Sequence, residues 1–317
     1  LWGELSLGRR RKGRPVDGIL LLNKPLGMSS NGALQRVKYL FFAAKAGHTG
    51  SLDPLASGVL PICLGEATKF TQFLLDADKC YRATFRFGMA TASGDADGEV
   101  VSEKGADGLT QQQVESVLGE FRGDIAQVPS MYSALKHQGQ PLYKLAREGV
   151  EIEREARPVT IYSLEVTDFR PGHFAEADVE VHCSKGTYIR TLAEDIGQKL
   201  DCGAYVSKLH RSAAGPFDEA DTISLEQLEG MRQEQDAEQL DHLLKPMDAG
   251  IQHMMSVELS EDMAFYFRQG QPMMVPQAYR EGEEGDIVRV FEADGPFLGV
   301  GEVTDDGRVA PKRLVVI

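Results

Sequence analysis

The stretch GHTGSLDPLASGVLP, residues 47–61, places one aspartate, Asp53, in a Gly-rich segment directly before an apolar run. Pro54 lacks an amide hydrogen and restricts its neighbours, so Leu52, Asp53 and Leu55 have few conformations open to them. Gly47, Gly50 and Gly58 permit tight turns and close approach of a second backbone. A carboxylate held this way is aimed rather than merely solvated. It suits a nucleophile or a base acting on a closely bound substrate. Asp-Pro also opens many purely structural turns, so the decision between the two lies in the flanking sequence.

Upstream, GILLL (18–22) is a buried-strand pattern that runs into the turn signal NKPLG. Ser30 suits the N-cap of a helix carrying Leu34, Val37 and Leu40/Phe41 on one face. Downstream, 59–64 read as a buried strand and EATKFTQFLL (66–75) as a helix. In YRATFRF (81–87), Tyr81, Ala83, Phe85 and Phe87 face one way and Arg82, Thr84 and Arg86 the other, a half-buried strand opening at Tyr81. Thr110 and Gln113 form a capping-box spacing before Val114, Val117 and Leu118. Residues 124–157 are polar and Pro-interrupted, with Lys136, His137, Lys144, Arg147, Arg154 and Arg157. They predict an insertion with a short helix from Pro141 to Gly149. Residues 177–183 alternate again, and a helix follows with Ile189, Leu192, Ile196 and Leu200 inward. Ser224 and Gln227 repeat the capping-box spacing. From about 256, a helix over 260–268 leads into the strand-like runs DIVRVFE, PFLGVGEV and RLVVI, a small β-rich domain.

The 317 residues suit about two domains. No apolar run reaches the roughly 18 residues that cross a bilayer, and no signal-peptide core stands near the start, so no membrane association is expected. Cys63, Cys80, Cys183 and Cys202 form no C-x-x-C pair, which argues against zinc and for a reducing, cytoplasmic location. The net charge of −14 resides wholly in residues 218–317, which hold 8 Lys and Arg against 22 Asp and Glu. The first 217 residues are balanced, and a basic face there remains compatible with a polyanionic partner. RRRKGR (9–14) reads equally as a solvated basic tail or an RNA contact.

In CSKGTYIR (183–190) a strand ends, Gly186 turns the chain and a helix begins near Thr187. Arg190 then sits in the first helical turn, against the positive end of the dipole. It is either an ordinary surface arginine or the partner of an anion, and a bidentate pair with Asp53 is one such arrangement. Tyr81 and Tyr188 are either core aromatics with hydroxyls at the rim or flat faces for an unstacked base. His48 and Ser51 lie too close to Asp53 in one loop for a hydrolytic triad, and G-x-S-x-G is absent. No metal-ligand spacing, P-loop or dinucleotide fingerprint occurs, so neither metal nor cofactor is expected. No second acid stands out beside Asp53. Glu66 is the nearest, and it reads as a helix-start acid. A two-carboxylate glycosidase site therefore fits poorly.

Six segments in order are similar to the TruB-type tRNA pseudouridine synthases: LLLNKPLGMSSN (20–31), GHTGSLDPLASGVLPICLGEATKF (47–70), KCYRATFRFG with SGDADGE (79–99), QVPSMYSALKHQGQPLYKLAREG (127–149), CSKGTYIRTLAEDIG (183–197) and, more loosely, SKLHRSAAGPF (207–217). The resemblance implies an α/β (α+β) fold. A catalytic domain over 15–250 would surround a mixed, mainly antiparallel sheet, with a basic tail over 1–14 before it. Residues 124–157 would be an RNA-gripping thumb, and 251–317 a small β-rich PUA-like domain. It implies isomerisation of one uridine in the T loop of tRNA, position 55 in tRNA numbering, to pseudouridine, without cofactor. Asp53 matches the catalytic nucleophile, whether it attacks C1′, attacks C6 or supports a glycal path. Tyr81 matches the tyrosine that stacks on the target base, and Arg190 the arginine paired with the aspartate. His48 matches the residue that fills the space left by the flipped base. Tyr188 and Leu209 match pocket residues, and Lys24 a basic residue supporting the site. tRNA is the implied partner, with possible help to tRNA folding; a monomer without an obligatory protein partner is the default expectation. Asn23, His210 and Ser212 depart from the family pattern.

Overall fold

The computed structural model describes residues 13–133 and 135–316. Most of the basic tail lies outside these residues. Its last member, Arg14, is docked: Nη1 and Nη2 hold Asp241 at 2.8 and 2.5 Å, and Nε donates to the Phe41 carbonyl at 2.9 Å.

Ten strands form one large sheet. In chain order they are β1 (Gly18–Lys24), β2 (Ala46–His48), β3 (Ala56–Leu64), β4 (Lys79–Phe87), β5 (Gly123–Gln127), β6 (Arg157–Arg170), β7 (Glu176–Cys183), β8 (Ala204–Ala214), β9 (Phe217–Asp218) and β10 (Ile223–Ser224). The order across the sheet is β10-β1-β3-β8-β4-β7-β6-β5, with β2 on β3 and β9 on β8. Only β1/β10 and β3/β8 pair in parallel, so the sheet is mixed and mainly antiparallel. The apolar run of β1 is continuous because both faces are covered. Ile19 and Leu21 enter one apolar cluster with Val59 and Cys63, while Leu20 and Leu22 enter the main core with Leu60 and Ile62. In β4 the predicted face is confirmed by Ala83, Phe85 and Phe87, all buried. The strand opens two residues earlier than expected, at Lys79.

Helix α1 (Ser30–Leu40) is capped by Ser29, not Ser30: the Ser29 hydroxyl accepts from Gly32 N at 3.1 Å. Ser30 has another task. Its buried Oγ accepts from Leu52 N at 2.7 Å and donates to Leu52 O at 2.9 Å, which ties α1 to the loop before Asp53. The single helix expected over 66–75 is instead a 3₁₀ turn, Gly65–Phe70, followed by α2 (Thr71–Asp76). Both capping boxes form, on α3 (Gln111–Leu118) and on the helix Leu225–Glu234. The polar stretch expected from 124 leaves the sheet only after Gln127, because 123–127 pairs with β6. Its short helix is α4 (Leu142–Arg147). Helix α5 (Ile189–Lys199) follows β7 with Ile189, Leu192 and Ile196 buried, as their spacing predicts.

A second sheet of five strands occupies 256–314, in the order Ser256–Leu259, Ile287–Glu292, Phe297–Val303, Arg308–Leu314, Met273–Met274. The last long strand begins at Arg308 and ends at Leu314, covering only the first two residues of RLVVI, because the register with Phe297–Val303 places Val309 rather than Val316 in the core. Among the described residues no helix is long and apolar enough to cross a membrane.

Candidate active site

The Asp53 turn hangs between two strands of the sheet. Thr49 N bonds Pro61 O at 3.2 Å and Ala56 N bonds Asp53 O at 3.0 Å, so 49–56 is a closed loop. Two glycines do what the sequence asks. Gly58 has φ 107°, and a Cβ there would lie 2.2 Å from the Arg211 carbonyl, so β3 and β8 approach only because no side chain intervenes. Gly50 has φ 81° and its position faces Arg211 Nη1.

A cavity of about 330 Å³ opens over this turn, and its walls include Asp53, Tyr81, Lys79, Ser133, Tyr188, Arg190, Leu209 and Arg211. The structure thus gathers five of the seven predicted site residues: Asp53, Tyr81, Tyr188, Arg190 and Leu209. Tyr81, Leu209 and Arg211 share one face, since Tyr81 pairs with Arg211 and Ala83 with Leu209 across β4 and β8. His48 and Lys24 do not line the cavity. His48 is on β2 with its Nδ1 buried and unpartnered among the described residues, and burial lowers its pKa. Lys24 is fully buried. It closes the NKPLGM turn by donating to Pro25 O at 2.8 Å and Met28 O at 2.6 Å. Burial brings its pKa down to about 8 against the opposing pull of Asp53, so it reaches the site through its field.

Arg190 meets Asp53, with one nitrogen rather than two. Nη2 lies 3.0 Å from Asp53 Oδ2, while Nη1 lies 3.4 Å from Asp95 Oδ2. The guanidinium is further fixed on the carbonyls of Ser93 (2.9 Å) and Tyr132 (3.1 Å). A second acid therefore does stand beside the site, but it is Asp95, not Glu66. Asp95 is 5% exposed and accepts from Ser93 Oγ at 2.5 Å. Glu66 instead holds Lys69 and the Val316 amide. Asp95 escaped the sequence reading because SGDADGE has the composition of a solvated turn. Desolvation raises the Asp53 carboxyl above its ordinary value, Arg190 opposes this, and Asp95 adds to it.

Two more cations were missed. Lys79 is buried, donates to the carbonyls of Leu75 (2.8 Å), Leu74 (3.4 Å) and Ala77, and has its pKa lowered by burial to about 8. Arg211 is 1% exposed and donates to Val59 O at 2.7 Å and Gly50 O at 3.2 Å. Its alternation with Leu209 along β8 was the available signal. Burial raises the Tyr81 phenol, and the Arg211 guanidinium beside it works the other way. A guanidinium has no acceptor, so a bond between them leaves the Tyr81 hydrogen free for the cavity. The arrangement offers an ionised carboxylate held by a guanidinium, an apolar wall at Leu209, an aromatic wall at Tyr81 and a positive floor. That set suits covalent catalysis on a flat ring attached to an anionic chain.

Comparison with known proteins defines the class first. Three models of pseudouridine synthases match in succession: "TruB family pseudouridylate synthase (N terminal domain)" over 38–189, "tRNA pseudouridylate synthase B C-terminal domain" over 190–252, and "Pseudouridine synthase II TruB, C-terminal" over 256–315. Within that class the chain belongs to the TruB family. It is 59% identical to the tRNA pseudouridine synthase B of Saccharophagus degradans, over 97% of this chain and 98% of that protein. It is 54% identical to that of Stutzerimonas stutzeri, over 96% and 98%. In a crystal structure of a Cbf5-Nop10-Gar1 complex, one chain is 25% identical and superposes with a TM-score of 0.68, covering 95% of this chain and 84% of that one. An H/ACA RNP bound to a substrate RNA containing 2′-deoxyuridine shares the fold at a TM-score of 0.70 and 23% identity, covering 98% and 92%.

Proposed function

We propose that this protein isomerises a uridine of tRNA to pseudouridine, at position 55 of the T loop, with Asp53 as the nucleophile. The observation that carries this reading is the 3.0 Å contact of Asp53 with Arg190 inside a cavity walled by Tyr81, Tyr188 and Leu209. The target nucleotide leaves its stack to reach the cavity, and His48 fills the space it vacates. Tyr81 stacks on the uracil and Leu209 keeps water from the reacting carbon. Arg190 holds Asp53 ionised and turns Oδ2 away, which leaves Oδ1 to act at C1′ or C6, or to take a proton on a glycal path. The N1–C1′ bond breaks and the uracil turns about its N3–C6 axis, which exchanges N1 with C5. C5 then bonds C1′ and loses its hydrogen, while N1 gains one, so no oxidant, reductant or cofactor enters the balance.

The remainder of the chain supports RNA binding. Residues 124–157, which leave the sheet after Gln127, form the thumb that grips the stem-loop, within a catalytic domain over 15–250. The sheet domain over 251–317 gives a further, PUA-like contact despite its acidity, near Lys312 and Arg313. The protein acts as a monomer in the cytoplasm, and its grip assists tRNA folding. Tritium release from a tRNA transcript labelled at C5 of uridine tests the reading, with Asp53→Asn alongside. About one equivalent from the wild type and none from the variant is expected. A folded wild type that binds tRNA without releasing tritium is an RNA-binding protein instead. Equal release from both removes Asp53 from the centre of the reaction.

A further inference from the structure

Helix α1 ends in a conformation that its sequence does not favour. Phe41 closes the helix and is fully buried, whereas Phe42, the next residue, has φ 49° and is 49% exposed. A left-handed residue here lets the chain turn toward β2, but glycine or asparagine adopts that conformation with less strain than a bulky aromatic. Burial does not account for the phenylalanine either, because half of it is in water. Tyr39, three positions earlier, accepts from Phe42 N at 3.0 Å and is 70% exposed. The Arg36 guanidinium, three positions further back, sits 5.5 Å from the centre of the Tyr39 ring. Arg36, Tyr39 and Phe42 thus end the helix as one exposed stripe, a cation followed by two rings.

The charge around the stripe favours a polyanion. Residues 1–45 hold 9 Lys and Arg against 2 Asp and Glu, and RRRK (9–12) stands just before Arg14. Arg14 N bonds the Phe42 carbonyl at 2.8 Å, so the basic stretch enters the fold at this phenylalanine. Glu229, Glu238 and Asp241 approach from the other flank, where they pair with Arg36 and Arg14. A second copy of a chain with net charge −14 offers these cations only a few of its own acids. Exposed rings among cations suit unpaired nucleotides, because every base has a face to stack and its phosphate meets the charge. The place is set by α1. Ser30, at its start, is bonded to Leu52 beside Asp53. Helical rise puts Tyr39 about 14 Å farther along the axis. A base on the rings is therefore a different nucleotide from the one that reacts. The proposed grip on the stem-loop lies with the thumb, on the Arg190 side of the cavity, which leaves the surface of α1 to the rest of the RNA. We propose that Tyr39 and Phe42 stack an unpaired base of the tRNA from outside the T stem-loop, an inference that rests on tRNA being the substrate. The single-stranded 3′ end and the folded body of the tRNA can each supply such a base, and the recognising chemistry is the same.

The test measures affinity for a full-length tRNA transcript and for the isolated T stem-loop, with Asp53→Asn as the parent of every variant so that no turnover intervenes. Phe42→Asn keeps the left-handed turn and removes the ring, while Phe42→Trp keeps a ring. Phe42→Asn is expected to bind full-length tRNA about tenfold more weakly than the parent, the loss of one stacked base, and to bind the stem-loop within about twofold of it. Tyr39→Ala is expected to weaken full-length binding in the same direction, and Phe42→Trp to retain it. The thermal midpoint of Phe42→Asn is expected to be no lower than the parent's, because asparagine relieves the left-handed strain. A transcript without its single-stranded 3′ end locates the base. If the parent's advantage over Phe42→Asn vanishes there, the base comes from that end; if it persists, the base comes from the folded body, and either result supports the inference. Equal affinity of Phe42→Asn and parent for full-length tRNA overturns it. So does an equal loss on both RNAs, with or without a lowered midpoint, since that makes Phe42 a structural residue. A parent that sediments as a dimer and becomes a monomer on Phe42→Asn also overturns it, in favour of a second copy on the stripe. A wild type that forms no pseudouridine in tRNA defeats the reaction reading itself, whatever the stripe binds.

Discussion

Around Asp53, the side chains of Lys24, Lys79, Arg190 and Arg211 are each at most 7% exposed, and Asp95 is buried among them. From Ser256 onward, no polar or charged side chain is buried among the described residues. There the core is Val257, Leu259, Phe267, Val288, Val290 and their neighbours, and ion pairs such as Arg308–Asp306 and Lys312–Glu302 lie at the surface. The two sheets therefore rest on different physics. The second is stabilised by apolar burial, with charge left in water where it contributes little. The first holds three cations on backbone carbonyls without a carboxylate bonded to them, an arrangement whose desolvation cost is offset by those hydrogen bonds and which prepares a positive field. Charge is buried around the proposed catalytic cavity, and apolar burial dominates in the second sheet.

The sharpest break of this contrast is Asp53→Asn. Turnover is expected to fall by at least ~10³-fold, as for removal of a nucleophile, while stability at neutral pH is unchanged or higher. The sign follows from the raised carboxyl. Such a group contributes fully to stability below its unfolded pKa, and that contribution is lost as pH rises through the folded value. A marked drop in the thermal midpoint of Asp53→Asn at neutral pH would contradict the picture of a site that costs stability.

Next in size is Arg211→Met. It strips donors from the carbonyls of Val59 and Gly50 at the point where Gly58 lets β3 and β8 touch. A loss of roughly 2–4 kcal/mol in urea unfolding is expected. A loss below about 0.5 kcal/mol would mean that the buried cation is already as poorly held as an exposed one.

A smaller effect is a shift in pH. Single-turnover rate is expected to fall toward acid along a limb set by Asp53, above the ordinary aspartate value of 3.8. Asp95→Asn removes a like charge and frees Arg190 for Asp53. Both changes lower the Asp53 pKa, so the limb moves to more acidic pH. A limb that moves toward neutrality would show that Asp95 acts mainly by holding Arg190 in place.

How much of this was legible in the sequence differs between the same two regions. The strands of the second sheet announce themselves, because an apolar core leaves its alternation in the chain. Three of its five strands were read, the last of them placed too far along the chain, while Ser256–Leu259 and Met273–Met274 were not. In the first region the apolar strands and both capping boxes were equally plain. Asp53 stood out through its glycines and proline. Asp95, Lys79, Arg211 and Ser133 did not, because polar residues near turns predict exposure, and their burial depends on contacts distant in sequence. Arg190 meets Asp95 across 95 positions and Arg211 meets Val59 across 152. The same limit explains Ser29 and Ser30: either spacing caps a helix, and only the Leu52 backbone decides which serine is spared for the Asp53 loop.

The smallest expected effect lies where the contrast predicts almost none. Lys312 pairs with Glu302 between adjacent strands of the second sheet, with 45% and 41% of the two side chains exposed. Water and salt screen such a pair, and holding two long side chains together costs entropy. Lys312→Met keeps most of the side chain's length and removes the charge, so urea unfolding is expected to shift by less than about 0.5 kcal/mol. Its effect on tRNA affinity is separable. If this part of the chain touches phosphate near Lys312 and Arg313, the variant's affinity at low salt drops and the salt slope flattens by about one contact. An unchanged salt slope, with unchanged stability, would leave the second sheet without a phosphate contact at this corner and concentrate RNA binding on the first.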